Sequence, residues 1–298
     1  MFPMSTEFET IELPDPDDAG AERLAAIEKS IVKKYRKQLW SPFTKAVKLY
    51  RLICPGDRIA VCISGGKDSM LMAMLFKELL RHGEQNFEAH FLVMDPGYNR
   101  ENAEQIRRNT GILRIPVQTF RSDIFAAADS DEAAAGNPCY LCARMRRGHL
   151  YAAARDLGCN TIALGHHFDD VIETILMGML YSGQLQGMMP KLHSTNFPGM
   201  ELIRPLSLVR EEDIIRWAAY NDLQFIRCAC RLTEKAEALS GAEQVSKRAR
   251  TKEIIRELKK ENPFIEINLY RSMENVHLGT MREYRDKEGA RHNFLDDY

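Results

Sequence analysis

The segment from Asp57 to Gly83 restricts the fold of this chain more than any other. The apolar run "DRIAVCI" (57–63) reads as a buried strand. It passes through Ser64-Gly65-Gly66-Lys67-Asp68-Ser69 straight into the amphipathic pattern "DSMLMAMLFKELLRHG" (68–83), which Gly83 ends. Two glycines let the backbone turn sharply with its N–H groups converging, and a helix N-terminus adds partial positive charge. Such a loop binds anions, with Lys67 as a movable point charge. The spacing is neither G-x-x-x-x-G-K-[ST] nor G-x-G-x-x-G. The plainer alternative is a tight turn in which Ser and Asp cap the helix.

The pattern repeats downstream. "FEAHFLVMD" (87–95) reads as a strand, followed by a helix over roughly 99–111 and a short strand "IPVQTF" (115–120). A helix over about 140–157, a strand "NTIALG" (160–165) and a helix "DDVIETILMGMLYSG" (169–183) come next. "MELIRPL" (200–206) reads as a strand, "REEDIIRWAAYN" (210–221) as a helix, "QFI" (224–226) as a last strand, and the remainder as helical to about 276. Strands alternating with helices predict an α/β fold with a doubly wound, mostly parallel sheet. Helical extensions flank it. Residues 22–52 have helical apolar spacing, with Pro42 breaking or bending the helix. The expected division is a disordered acidic tail (1–20), a basic helical segment (21–55), the nucleotide-binding domain (56–235) and a C-terminal helical segment (236–298).

The formal net charge of −1 hides a segregation. Residues 1–20 carry six acids and no base, whereas residues 29–51 carry eight bases and no acid. A second run, "KRARTKEIIRELKK" (247–260), has seven bases against two acids. Clustered Lys and Arg suit a polyanion such as nucleic acid, although two solvated helix faces would read the same way. No apolar run reaches membrane-spanning length, and the acidic N-terminus lacks the character of a signal peptide. Seven cysteines, an odd number, argue against a disulfide framework. The expectation is a cytoplasmic protein with reduced thiols and no membrane partner.

Two further features carry chemistry. Asp169 and Asp170 sit where a strand gives way to a helix, and Asp170-x-x-Glu173 also resembles a capping box. In "GNPCYLCARMRRGHL" (136–150), Cys139 and Cys142 share one helix face near its start and are followed by Arg144, Arg146 and Arg147. A structural zinc, a redox pair, an iron–sulfur cluster and two unremarkable thiols are all compatible with that stretch. Cys228-Ala229-Cys230 is the other close pair. Cys62 falls in a strand and Cys159 at the start of another, and both read as inert core.

Ser64-Gly65-Gly66-Lys67-Asp68-Ser69 matches S-G-G-x-D-S, the phosphate loop of the ATP-pyrophosphatase superfamily. That loop and the segments "CYLCARMRRGHLY", "IALGHHFDDVIETILMGMLYSGQLQGMMPKL", "IRPLSLVREEDI" and "YRSMENV" together resemble the tRNA 2-thiocytidine synthetase family, over roughly residues 50–276. The resemblance implies an enzyme that thiolates C2 of cytidine 32 in tRNA with consumption of ATP, releasing AMP and pyrophosphate. It implies that Ser64, Gly65, Gly66, Lys67 and Ser69 hold the phosphates and that Asp68 needs a magnesium ion beside them. Met94 and Gly165, at the ends of neighbouring strands, fall to the nucleotide, and Asp169 to magnesium or proton handling. Cys139, Cys142 and Cys228 would hold a [4Fe–4S] cluster with one open iron. A sulfur donor, a reductant and a homodimer are further expectations. Where the family has Pro-Cys-x-x-Cys, this chain has Arg227-Cys228-Ala229-Cys230, leaving Cys230 without an assigned role. Thiolation or amidation of another nucleoside or small molecule, and a zinc-containing non-catalytic nucleic-acid binder, are the rival readings.

Overall fold

A computed structural model describes residues 6–13, 16–83, 86–122, 138–226 and 247–297, without the side chains of 138–143 and 297. Two compact units are present: Met1–Asp170 with Met189–Gln244, and Val171–Met188 with Val245–Tyr298.

The first unit is built on one sheet. Its strands are β1 (Glu9–Thr10), β2 (Arg58–Ile63), β3 (Glu88–Asp95), β4 (Val117–Arg121), β5 (Thr161–Ala163), β6 (Lys191–His193) and β7 (Glu201–Ile203), in the order β1-β4-β3-β2-β5-β7-β6. β2, β3, β4, β5 and β7 run parallel, while β1 and β6 close the two edges antiparallel. The chain builds outward from β2 to β3 and β4, then returns to lay β5 on the other side of β2. Strand order therefore reverses between β2 and β5, and the crevice above their C-terminal ends is where such sheets bind ligands. The loop after β2 and the "GHHFDD" loop after β5 both end there.

Burial follows the two-residue period of β2. Ile59, Val61 and Ile63 enter one core with α3 (Lys67–His82), whereas Ala60 and Cys62 enter a second core with Tyr151 and Ala152–Ala154 of α5 (Pro138–Asp156). α4 (Arg100–Ile112) links β3 to β4, with Asn99 as its N-cap.

Several expectations need correction. The acidic stretch 1–20 is not a free tail throughout, because Glu9–Thr10 pairs with Thr119 and Gln118 at the sheet edge. Pro42 starts a helix instead of breaking one. It lies in the first turn of α2 (Ser41–Leu49), where a missing N–H costs nothing. The departure from α-helical geometry occurs earlier, in two π-helical turns (Ser30–Lys34 and Arg36–Trp40) that follow α1 (Asp18–Lys29). Ser30 contributes: its buried hydroxyl donates to Ile27 O at 2.6 Å and accepts from Trp217 Nε1 at 3.1 Å. Residues 224–226 form no strand, since the Gln224 carbonyl is taken by the Gln105 and Asn109 side chains of α4.

α6 (Phe168–Ser182) begins in the first unit, and its residues from Val171 belong to the second. α7 (Glu211–Tyr220) belongs to the first. The second unit also contains α8 (Lys247–Glu261), α9 (Ile265–Ser272) and a hairpin of β8 (Glu283–Arg285) and β9 (Arg291–Asn293), so the C-terminal segment is not all helical. Within it, Glu173 has a side chain only 2% exposed and pairs with Arg248 at 3.2 Å and Lys252 at 3.6 Å. Part of the second basic run is thus bound internally. Among the described residues, no helix is long and apolar enough to cross a membrane.

Candidate active site

The loop after β2 needs the conformation of one of its two glycines. Gly65 has φ +85°, and a Cβ there would lie 2.6 Å from Ile106 Cγ1 and 2.7 Å from Ile226 Cδ1. Gly66 is the extended N-cap of α3. Ser69 closes the loop, accepting from Ser64 N at 3.1 Å and donating to Gly66 O at 3.0 Å. A third glycine comes from the loop after β5: a Cβ on Gly165 would meet Ser69 N at 3.1 Å and Ser69 Cα at 3.2 Å. That loop and the helix start therefore touch through backbone. The outcome is a cradle of main-chain N–H groups at a helix N-terminus, which fits a pyrophosphate group.

Beside this cradle lies a charged cluster. The Lys67 ammonium is 3.1 Å from Asp68 and 3.0 Å from Glu211 Oε1. Burial disfavours the charge on Lys67, but the Asp68 and Glu211 carboxylates outweigh it and hold its pKa above the ordinary value. Asp68 responds differently. Burial pushes its carboxyl above the usual range, Lys67 and His167 offset this only in part, and Asp170 adds to it.

His167 is the N-cap of α6. Its backbone N donates to Asp170 Oδ2 at 3.0 Å, and Asp170 N donates back to His167 Nδ1 at 3.3 Å. Asp170 is thus the third-residue member of a capping box that starts at His167, not the first member of one that ends at Glu173. Because Nδ1 accepts, the neutral ring carries its proton on Nε2. That nitrogen lies 3.8 Å from Glu211 Oε1 and 4.0 Å from Asp68 Oδ1.

Asp169 has turned toward α7. Its Oδ1 accepts from Arg210 Nη2 at 3.1 Å and its Oδ2 from Glu211 N at 2.7 Å, while the Arg210 guanidinium stacks 4.9 Å over Phe168. Asp169 fixes the Arg210–Glu211 turn and so delivers Glu211 to Lys67. Sequence reasoning does not single out Arg210 and Glu211. "REEDI" carries the acids of any helix N-terminus, and only the fold brings it to the phosphate loop.

Asp68 Oδ1 is buried without a hydrogen bond, 3.1 Å from Lys67 Nζ. One such oxygen fits a magnesium ion whose remaining ligands are phosphates and water. Among the described residues, no three His, Cys, Asp or Glu side chains form a metal-binding group by themselves. The Met94 side chain is buried in the second core, so only its backbone could meet a nucleotide.

Cys139 and Cys142 are the second and fifth residues of α5. Their side chains, and Cys228 and Cys230, lie outside the described residues. Cys62 and Cys159 are buried, and burial pushes both thiols up, Cys159 to about 11. Both are protonated at neutral pH and unsuited to binding a metal. Two cysteines three residues apart at a helix start are donors of the kind that iron–sulfur clusters take.

Two cavities flank the site. One of about 510 Å³ is lined by Val93, Tyr98 and Ile106, among others, and two of these residues touch the phosphate loop: the Tyr98 hydroxyl donates to Ser64 O at 3.2 Å and Ile106 lies against Gly65. The other, about 840 Å³, lies along α5 and is lined by Arg144, Arg147, Tyr151, His193, Asn196 and Phe197. Arg204 is buried nearby, donating to Met189 O, with its Nε lacking an acceptor. Burial first, then Arg147, lowers its pKa to about 10, and Asp170 acts on it from the other side.

Residues 32–234 match the family model of the PP-loop domain. The chain is 35% identical over 244 residues to the tRNA-cytidine(32) 2-sulfurtransferase of Coxiella burnetii (strain RSA 331 / Henzerling II), covering 82% of this chain and 91% of the relative. It is 35% identical over 254 residues to the protein of that name from Geotalea daltonii, covering 85% and 95%. Among solved structures, the U34-tRNA thiolase NcsA from Methanococcus maripaludis with its [4Fe-4S] cluster superposes with a TM-score of 0.61. That match covers 80% of this chain and 79% of the other at 20% identity, a likeness of fold. The chain belongs to the PP-loop domain family and, within it, to the tRNA-cytidine(32) 2-sulfurtransferase family.

Proposed function

We propose that this protein is an ATP-dependent tRNA sulfurtransferase that replaces the C2 oxygen of cytidine 32 with sulfur. The observation that carries the reading is the cradle at Ser64–Ser69 with Lys67, Asp68, His167 and Glu211 gathered beside it, in a chain whose relatives bear that activity in their names. A carbonyl oxygen is a poor leaving group. If it attacks the α-phosphate of ATP, pyrophosphate departs, and the base oxygen later leaves with AMP as sulfur arrives. The backbone N–H groups of the loop hold the phosphates, and the Lys67 ammonium offsets the charge that grows on departing pyrophosphate. His167 Nε2 faces Asp68 and Glu211 beyond hydrogen-bond distance and acts on both only electrostatically. Asp169 is a positioning residue through Arg210 and Glu211.

Magnesium held by Asp68 would neutralise phosphate charge. A [4Fe–4S] cluster held by Cys139, Cys142 and Cys228 would supply the point of sulfur delivery. Arg144 and Arg147, further along the same helix, line the 840 Å³ cavity, which suits a target nucleotide between phosphates. Exposed Lys33, Lys34, Arg36 and Lys37 offer further phosphate contacts. A separate sulfur donor, a reductant, a cytoplasmic location and a homodimer belong to this reading.

The test is nucleoside mass spectrometry of tRNA incubated with the anaerobically purified protein, ATP, magnesium, sulfide and a reductant. The expected product is 2-thiocytidine at position 32. Thiolation of another nucleoside would move the substrate assignment, and a colourless zinc protein without activity would refute it.

A further inference from the structure

Residues 6–13 precede the span that matches the family model, yet they are built into the first unit. Thr6 N and Oγ1 both donate to Asp156 Oδ2, at 3.0 and 2.7 Å, at the end of α5. Thr119 Oγ1 donates to Glu9 O at 3.1 Å, and Ile11 N to Val117 O at 3.1 Å. The Phe8 ring meets Phe120 edge-on at 6.1 Å, and Phe8 and Ile11 pack against opposite cores. The segment is a strap fixed at both ends.

The 510 Å³ cavity lies under this strap. Thr6, Phe8 and Ile11 form one wall, and Val93, Tyr98 and Ile106 the other. The far wall is also the support of the phosphate loop. Tyr98 bonds Ser64 O, and Ile106 occupies the space a Cβ of Gly65 would need. Asp95 Oδ1 accepts from Gly97 N and Tyr98 N, at 2.9 and 2.8 Å, which fixes Tyr98 there. A nucleotide with its phosphates in the cradle can place its sugar and base in this space, whose volume suits a small-molecule site.

We propose that the strap, through Phe8 and Ile11, is the outer wall of the nucleoside pocket and sets the affinity for the nucleotide. The proposal rests on the reading that ATP is the substrate. An apolar wall covers a face of the base, whereas pyrophosphate, bound by the loop alone, never touches it. The strap therefore acts on ATP and not on pyrophosphate.

The experiment is calorimetry of the full chain, Phe8→Ala and Asp156→Ala with ATP, GTP and pyrophosphate, each with magnesium. Phe8 is one wall of the pocket, while Asp156 lies outside it and only anchors the strap. Phe8→Ala is expected to weaken ATP about tenfold, the order of one base–aromatic stacking interaction. Asp156→Ala should weaken it less, and both should weaken GTP in proportion to ATP and leave pyrophosphate unchanged. Unaltered ATP affinity in both variants, with wild-type binding ATP, overturns the strap proposal alone. An equal loss for ATP and pyrophosphate overturns it too, because the variants would then act on the loop. Wild-type protein that binds pyrophosphate but not ATP overturns the ATP reading and the strap with it.

Discussion

Lys67 Nζ and Glu211 Oε1 lie 3.0 Å apart although the two residues are separated by 144 positions in the chain. The contact exists because Asp169 accepts from Glu211 N and fixes the start of α7 against the phosphate loop. Asp169→Asn keeps the shape but loses the charge that holds Arg210. It should reduce pyrophosphate release by about tenfold or more, the scale of a misplaced group in an active site. Glu211→Gln should show a similar loss if delivery of Glu211 is what Asp169 achieves, and the double variant should be no worse than either. Additive losses would give Asp169 a separate role.

Asp68→Asn should abolish cleavage of ATP between the α and β phosphates while leaving tRNA binding nearly intact. Its effect on stability has a definite sign. The folded-state pKa of Asp68 is raised, so between the ordinary carboxylate value and the folded one the native protein binds more protons than the unfolded chain. Stability from this group therefore falls as pH rises through that window. Asn removes the dependence, so the variant should gain on wild type in urea melts as pH increases from about 4. A constant difference at all pH values would contradict the burial of this carboxylate.

Gly165→Ala places a methyl group 3.1 Å from Ser69 N and should weaken pyrophosphate binding by shifting the first turn of α3. Gly65→Ala adds a left-handed φ to a collision and should cost about 1–3 kcal/mol of stability as well. Calorimetry and denaturant melts measure the two effects. Binding unchanged in both variants would remove the loop from the site.

Iron content separates the cysteines. Cys139→Ser, Cys142→Ser and Cys228→Ser should each lose iron and thiolation, whereas Cys230→Ser should retain iron. The reverse result at 228 and 230 would exchange their roles.

The two basic runs should behave differently. Reversing Lys33, Lys34 and Lys37 should weaken tRNA binding and reduce its salt slope by about 0.7–0.9 for each phosphate that is no longer neutralised. Arg248→Glu should instead destabilise the protein by about 1–3 kcal/mol, because it removes a partner from buried Glu173. An unchanged salt slope in the first variant would leave that run as an ordinary solvated face.

The phosphate loop was legible because its function is local: strand, glycines and helix start adjoin in sequence. So was the parallel sheet, since the period of two in β2 and the helical period of α3 are strong. The partners of Lys67 and Asp68 were not legible. Glu211 and His167 reach them only once β5 lies beside β2, and the acids of α7 look like those of any helix start. The N-terminal strand was equally hidden. Its acidic, Pro-rich composition points to disorder, and two residues of pairing at a sheet edge leave no periodicity to detect.

In the proposed mechanism the base oxygen attacks the α-phosphate. tRNA carrying ¹⁸O at C2 of cytidine 32 tests this directly, in a single turnover with ATP, sulfide and reductant. The label should appear in the phosphate of AMP in step with 2-thiocytidine formation. Thiolated tRNA accompanied by unlabelled AMP, or by ADP in its place, would contradict it.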